Sequence, residues 1–210
     1  INVSTLDFSG IQTGNKVEFA STLANGQTIK SSYNLAESGF LVDYQLDAKS
    51  ISITGSDYFI HWKEQVHQTE KDITEERKAT INYLLTEDEE FDYLSENTSS
   101  VTNENLDKST KWISFKKKYF LSGIIPQGFT FKSAVLTATP NLTDSLNIKT
   151  LDAQIIASAQ DLAAGRSSFQ FYFGPNDYEI VNKVEAPEFG KNVKLSYDFL
   201  LPITKYIFLP

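Results

Sequence analysis

A succession of short runs rich in β-branched and aromatic residues, with turn residues between them, constrains this 210-residue chain more than any other feature. Val17, Phe19 and Leu23 alternate with polar residues before Asn25-Gly26, and Ile29, Tyr33 and Leu35 follow it, the pattern of a β-hairpin. A two-residue loop would put the two apolar sets on opposite faces. A three-residue loop, Ala24-Asn25-Gly26 with glycine in the left-handed region, brings Val17 opposite Tyr33 and both sets onto one face, and this register is preferred. Further strands are expected at 40–47, 51–54, 58–62, 81–86, 91–95, 119–125, 129–138, 148–156 and 167–173. Ten or so such runs indicate an all-β fold with a few short helices, a large antiparallel sandwich and not a parallel α/β sheet. No internal repeat is visible. The stretches 63–78 and 96–110 are polar and read as long solvated loops.

The end of the chain reads differently. The run SSFQFYF stops at Gly174-Pro175, and Pro175 suits the first turn of a helix because its missing N–H would be unpaired there. Tyr178, Val181 and Val184 recur at helical spacing, giving a narrow apolar stripe that Ala186-Pro187 ends. The chain closes with FLLPITKYIFLP. As a helix, residues Phe199 to Leu209 would span about 16 Å, roughly half of a ~30 Å hydrocarbon layer, and Pro202 would kink it. The expectation is a sandwich over residues 1–174 and a helical segment over 175–210 that approaches a membrane. The absence of methionine and of any long apolar run suggests an excised piece of a longer protein.

A net charge of −8 and a pI near 4.8 argue against nucleic acid and anionic lipid as partners; Lys116-Lys117-Lys118 is the one basic run. The sequence has no cysteine, which leaves the redox compartment open. Its two histidines are His61, expected at a strand end, and His67, expected in the charged loop. Glu64-Gln65-Val66-His67 is a single Glu-x-x-His without a second copy, so no metal site and no cofactor are expected. Glu87-Asp88-Glu89-Glu90 reads as solvated surface at a turn. A nucleophile elbow, a phosphate loop and a dinucleotide fingerprint are all missing, which argues against an enzyme. Asn-x-Ser/Thr triplets at Asn2, Asn97 and Asn141 carry no weight.

An ordered series of segments resembles the periplasmic domain of the bacterial YidC membrane-protein insertases. It comprises GQTIKSSYNL and FLVDYQL, then ATINYLL, DYLSEN, KWISFKKKYFLSGIIP and FQFYFGPNDYEIVNKV, and it covers nearly the whole chain. The resemblance implies a β-supersandwich of the mutarotase kind, held between the first two transmembrane helices of an inner-membrane protein. It also implies an accessory role in insertion and folding of membrane proteins, with Sec components such as SecDF and client proteins as partners. Against the family pattern, several N-terminal strands are expected to be missing, which would leave an edge strand prone to pairing.

Two readings compete. The first is a non-catalytic interaction domain whose partner-facing residues are Tyr178, Val181 and Val184 on the helix and Phe199, Leu200 and Tyr206 beyond it. The second is a carbohydrate-binding or mutarotase-like module in which Trp62, Trp112 and tyrosines stack on sugars. A surface lipoprotein or adhesin fragment ranks last because it does not explain the apolar ending.

Overall fold

The computed structural model describes residues 1–193 except 50, 52–54, 56 and 145. Thirteen strands are present among them: β1 (Ser9–Thr13), β2 (Lys16–Thr22), β3 (Thr28–Leu35), β4 (Leu41–Asp47), β5 (Asp57–His67), β6 (Thr80–Leu85), β7 (Phe91–Tyr93), β8 (Thr102–Leu106), β9 (Thr110–Lys116), β10 (Phe120–Gln127), β11 (Ser133–Pro140), β12 (Asn147–Ser158) and β13 (Ser168–Pro175). Two short helices, α1 (Ala159–Ala163) and α2 (Tyr178–Val181), accompany them, with several 3-10 turns. The strands form two antiparallel sheets. One has nine strands in the order β1-β2-β3-β4-β13-β10-β9-β6-β7, the other four in the order β5-β12-β11-β8. The expected all-β sandwich is therefore the architecture.

Alternation along the strands builds the core. Ile81, Tyr83, Ile113, Phe115, Ile124 and Phe169 of the large sheet face Leu136, Leu151, Ala153 and Ile155 of the small one, and all are buried. Trp62 of β5 stacks on Phe115 of β9 across the interface, ring centroids 4.2 Å apart. Intervening residues of the large sheet, Leu84, Trp112, Leu121, Ile125 and Tyr172, form a second cluster on its outer face. That explains why 110–126 is apolar without a clean period of two: its strands are covered on both sides.

The first hairpin has the expected register. Val17 lies opposite Tyr33, Leu23 N–H donates to Gln27 C=O at 2.8 Å, and Gly26 sits at φ +82°. Other expectations need correction. The polar stretch 96–110 is not all loop, since Thr102–Leu106 forms β8; only its last residue is buried, so pairing with β11 defines it and hydropathy does not. The stretch 63–78 loses its first residues to β5, which runs to His67 because Glu64 and Val66 continue the inward alternation of Trp62. His61 is mid-strand and His67 ends the strand. The run at 129–138 starts as a strand at Ser133, and β1 was not anticipated because its SGIQT sequence has no apolar alternation. Pro175 ends β13 opposite Phe120 and does not open a helix. The expected strand at 51–54 lies largely outside the described residues, as do Phe199, Leu200 and Tyr206.

Candidate functional site

The C-terminal part of the described chain covers the outer face of the large sheet. Asp177 caps α2 by accepting from Ile180 N–H at 3.3 Å, so the helix starts three residues after the proline and lasts one turn. Val181 and Val184 point into the second cluster and are buried, with Tyr178 half-buried beside them. After Glu188, at φ +55°, the 3-10 turn Phe189–Asn192 drops Phe189 onto Trp112 and Tyr172 at 5.1 and 5.8 Å. Gly123 makes this approach possible, since a Cβ there would stand 2.8 Å from the Phe189 ring. Trp112 Nε1 donates to Pro187 C=O at 2.7 Å. Asn192, fully buried, completes the lock: its Oδ1 accepts from Asn82 Nδ2 at 2.9 Å and Ser114 Oγ at 2.6 Å, and its Nδ2 donates to Phe189 C=O at 2.9 Å. Nothing in the sequence distinguished Asn192 from any other asparagine near a turn.

The inner face of the large sheet is covered only in part. Lys117 joins Glu64 of β5 to the β9–β10 turn, and Trp62 of β5 lies on β9, so the small sheet ends over the middle of the large one. Beyond it, exposure rises strand by strand along one cross-strand row. Ile124 is 1% exposed, Phe171 and Val42 are half-buried, and Leu35 is 56% exposed. The next row repeats the trend from buried Phe169 through Tyr44 to Tyr33, 40% exposed. Rings run along this overhang as Phe19–Tyr33–Tyr44–Phe171–Phe173, with neighbours 4.8 to 6.1 Å apart. Burial, and then the nearby Tyr33 hydroxyl, push the Tyr44 phenol up to about 12. On the small sheet the same boundary is visible, since Tyr58, Ile60 and Trp62 of β5 are half-buried while Leu151, Ala153 and Ile155 of β12 are fully buried. Among the described residues β5 is one edge of the small sheet and β8 the other. A depression of about 550 Å³ follows the last residues of β5, lined by Lys63, Glu64, Gln65 and His67, which point alternately to both faces.

The charged motifs are used internally. Lys116 pairs with Glu96 at 3.0 Å, Lys117 with Glu64 and Lys118 with Glu70, so the one basic run is neutralised by glutamates from three segments. Hydrogen bonds from Lys118 and then Tyr119 hold the Glu70 carboxyl below its usual range. In the acidic run, Glu87 pairs with Lys108 at 2.8 Å and Glu89 with Lys111 at 2.5 Å. Lys149 is buried at the end of the core and donates to the carbonyls of Arg77 at 3.1 Å and Asn97 at 2.9 Å; burial lowers its amine to about 8, against a smaller opposing effect of Glu96. Glu64 and His67, three apart on a strand, face opposite sides and do not converge. No group of three or more potential metal ligands assembles among the described residues. His61 instead meets Asp152 at 3.1 Å on the outer face of the small sheet. Asn2, Asn97 and Asn141 each accept the N–H two residues on, the geometry of an Asx turn. Trp112 is fully buried and has no free face for a sugar, while Trp62 is half-buried with one face stacked on Phe115.

The molecule is thus a two-sheet antiparallel sandwich with a capped outer face and a partly open inner one. The family model for the YidC periplasmic domain matches residues 4–210, and the chain belongs to that family. It is 34% identical to the membrane protein insertase YidC of Cytophaga hutchinsonii over the whole chain, which spans 36% of that relative. Against the insertase of Amoebophilus asiaticus it is 25% identical, again over the whole chain and 37% of the relative. With that of Azobacteroides pseudotrichonymphae it shares 30% identity over 85% of the chain and 30% of the relative. The chain therefore spans about a third of the length of the curated relatives it matches. No helix among the described residues is long and apolar enough to cross a membrane.

Proposed function

We propose that this chain is a non-catalytic accessory domain of a YidC-type insertase, held on the periplasmic face of the inner membrane, where it supports insertion and folding of membrane-protein clients. The observation that carries this reading is the family match over residues 4–210, in relatives named as insertases that are about three times as long. Residues 1–174 form the sandwich in this reading. Residues 175–210 link it to the membrane part and, through Tyr178, Phe199, Leu200 and Tyr206, offer contacts to Sec components such as SecDF. Val181 and Val184 serve that surface by fixing the helix on the sheet, where both are buried. The enclosed Trp112 and the paired charges favour protein contact over sugar binding or catalysis.

The test is insertion of a single-span reporter by the full-length insertase after deletion of residues 175–210, and separately of residues 1–174. Reduced insertion in both is expected. Unimpaired insertion in both contradicts the accessory role, and impairment by the first deletion alone confines the role to the membrane-adjoining segment.

A further inference from the structure

β12 breaks its alternation at one point. Between Asn147 and Lys149 its register with β5 slips by one residue, a β-bulge, so that Ile148 and Lys149 are consecutive and yet both buried, at 0% and 1% exposed. The bulge delivers an amine into the end of the core. There, among the described residues, Lys149 Nζ donates to two main-chain carbonyls, Arg77 C=O at 3.1 Å and Asn97 C=O at 2.9 Å. Those carbonyls belong to the two connections that cross between the sheets at this end: 68–79 leaves β5 of the small sheet for β6 of the large one, and 94–101 leaves β7 for β8. Val66, Ala79, Leu94 and Ile148 lie at the same end of the main core cluster. The surrounding charges are engaged elsewhere. Glu96, the carboxylate that acts on Lys149, is paired with Lys116 of β9 at 3.0 Å, and Glu64 of β5 is taken by Lys117. On the crossing 68–79, Glu76 accepts from Thr69 N–H at 3.0 Å, Lys78 pairs with Glu75 at 2.7 Å, and Arg77 Nε is buried without a hydrogen-bond partner. β11, on the other side of β12, brings only Ala134, Leu136 and Ala138 to its inward positions.

We propose that Lys149 is a proton-operated latch that ties down both crossings at this end of the sandwich and releases them on taking up a proton. The site matches the neutral amine. A neutral amine has two N–H groups for the two carbonyls, whereas the ammonium has three donors and a charge that no carboxylate contacts. Protonation in the closed state therefore buries an unpaired charge, and opening of the crossings relieves that cost by letting water reach it. The sign follows from linkage. Closed, the amine sits near 8; exposed to water it returns to about 10.5, so opening binds a proton throughout that window. Closure is favoured as pH rises from 8 to 10.5, and opening as pH falls back through the same range.

The test is amide hydrogen exchange of the full-length insertase from pH 7 to 10, expressed as protection factors so that the pH dependence of intrinsic exchange is removed. Amides in 68–79 and 94–101 should exchange well ahead of those in β9 and β10, the mark of local opening. Their protection should rise by up to about tenfold per pH unit above 8. In Lys149→Met the same segments should show no such rise. Wild-type protection that stays level across the range overturns the proposal, and that reading needs no variant to fold. Exchange of the two segments in step with β9 and β10, which marks unfolding of the whole sandwich, overturns it as well, and so does an equal rise in Lys149→Met.

Discussion

Asn192 and Lys149 carry the most consequence per atom, because each is a buried polar side chain that joins segments distant in sequence. Asn192→Ala leaves Asn82 and Ser114 without their shared acceptor and frees Phe189 C=O. The expected loss is about 2–4 kcal/mol, since each buried group left unpaired costs ~1–3 kcal/mol and the site relaxes in part. Urea titration of the isolated chain, followed by tryptophan fluorescence, measures it. Lys149 makes a prediction in pH. Its native amine sits near 8 and an unfolded lysine near 10.5, so between those values the unfolded chain holds a proton that the native one lacks. Stability contributed by this group therefore rises with pH across that window. Lys149→Met removes the rise and, by orphaning the carbonyls of Arg77 and Asn97, lowers stability at pH 7 by ~1–3 kcal/mol. Urea midpoints of both proteins from pH 7 to 10.5 test the sign, and parallel curves contradict it.

At the level of elements, the sequence made most strands legible but missed the edge strands β1 and β8 and the interior strand β9, whose residues are apolar on both faces. β2, β3, β4, β6 and β13 alternate or concentrate β-branched and aromatic residues, and the turn at Gly26 fixed a register found in the structure. β1 and β8 are edge strands almost without buried residues, so hydropathy carries no trace of them. The stripe Tyr178, Val181, Val184 was visible, but a pattern cannot say which surface it meets; here the valines meet the sheet. The cap they belong to depends on Phe189 and on the gap left at Gly123. Phe189→Ala should cost ~3–5 kcal/mol and speed hydrogen exchange in the segment after Pro187. Gly123→Ala, whose new methyl would stand 2.8 Å from that ring, should shift the near-ultraviolet signal of Trp112 while leaving the sandwich folded. An unchanged Trp112 environment in either variant would separate the cap from the second core cluster.

Taken whole, the molecule has two faces of different use. The outer face of the large sheet is closed by the chain's own C-terminal turns, and the basic run that could have reached acidic lipid is paired off internally. The inner face is open where the four-stranded sheet stops short of the nine-stranded one. The overhang could not be read from sequence, because an aromatic on a strand looks the same whether a second sheet lies over it or not. Insertion of a single-span reporter by the full-length insertase lacking residues 1–174 tests the accessory role most directly. Reduced insertion is the predicted result, and insertion unimpaired by the loss of the sandwich would contradict it.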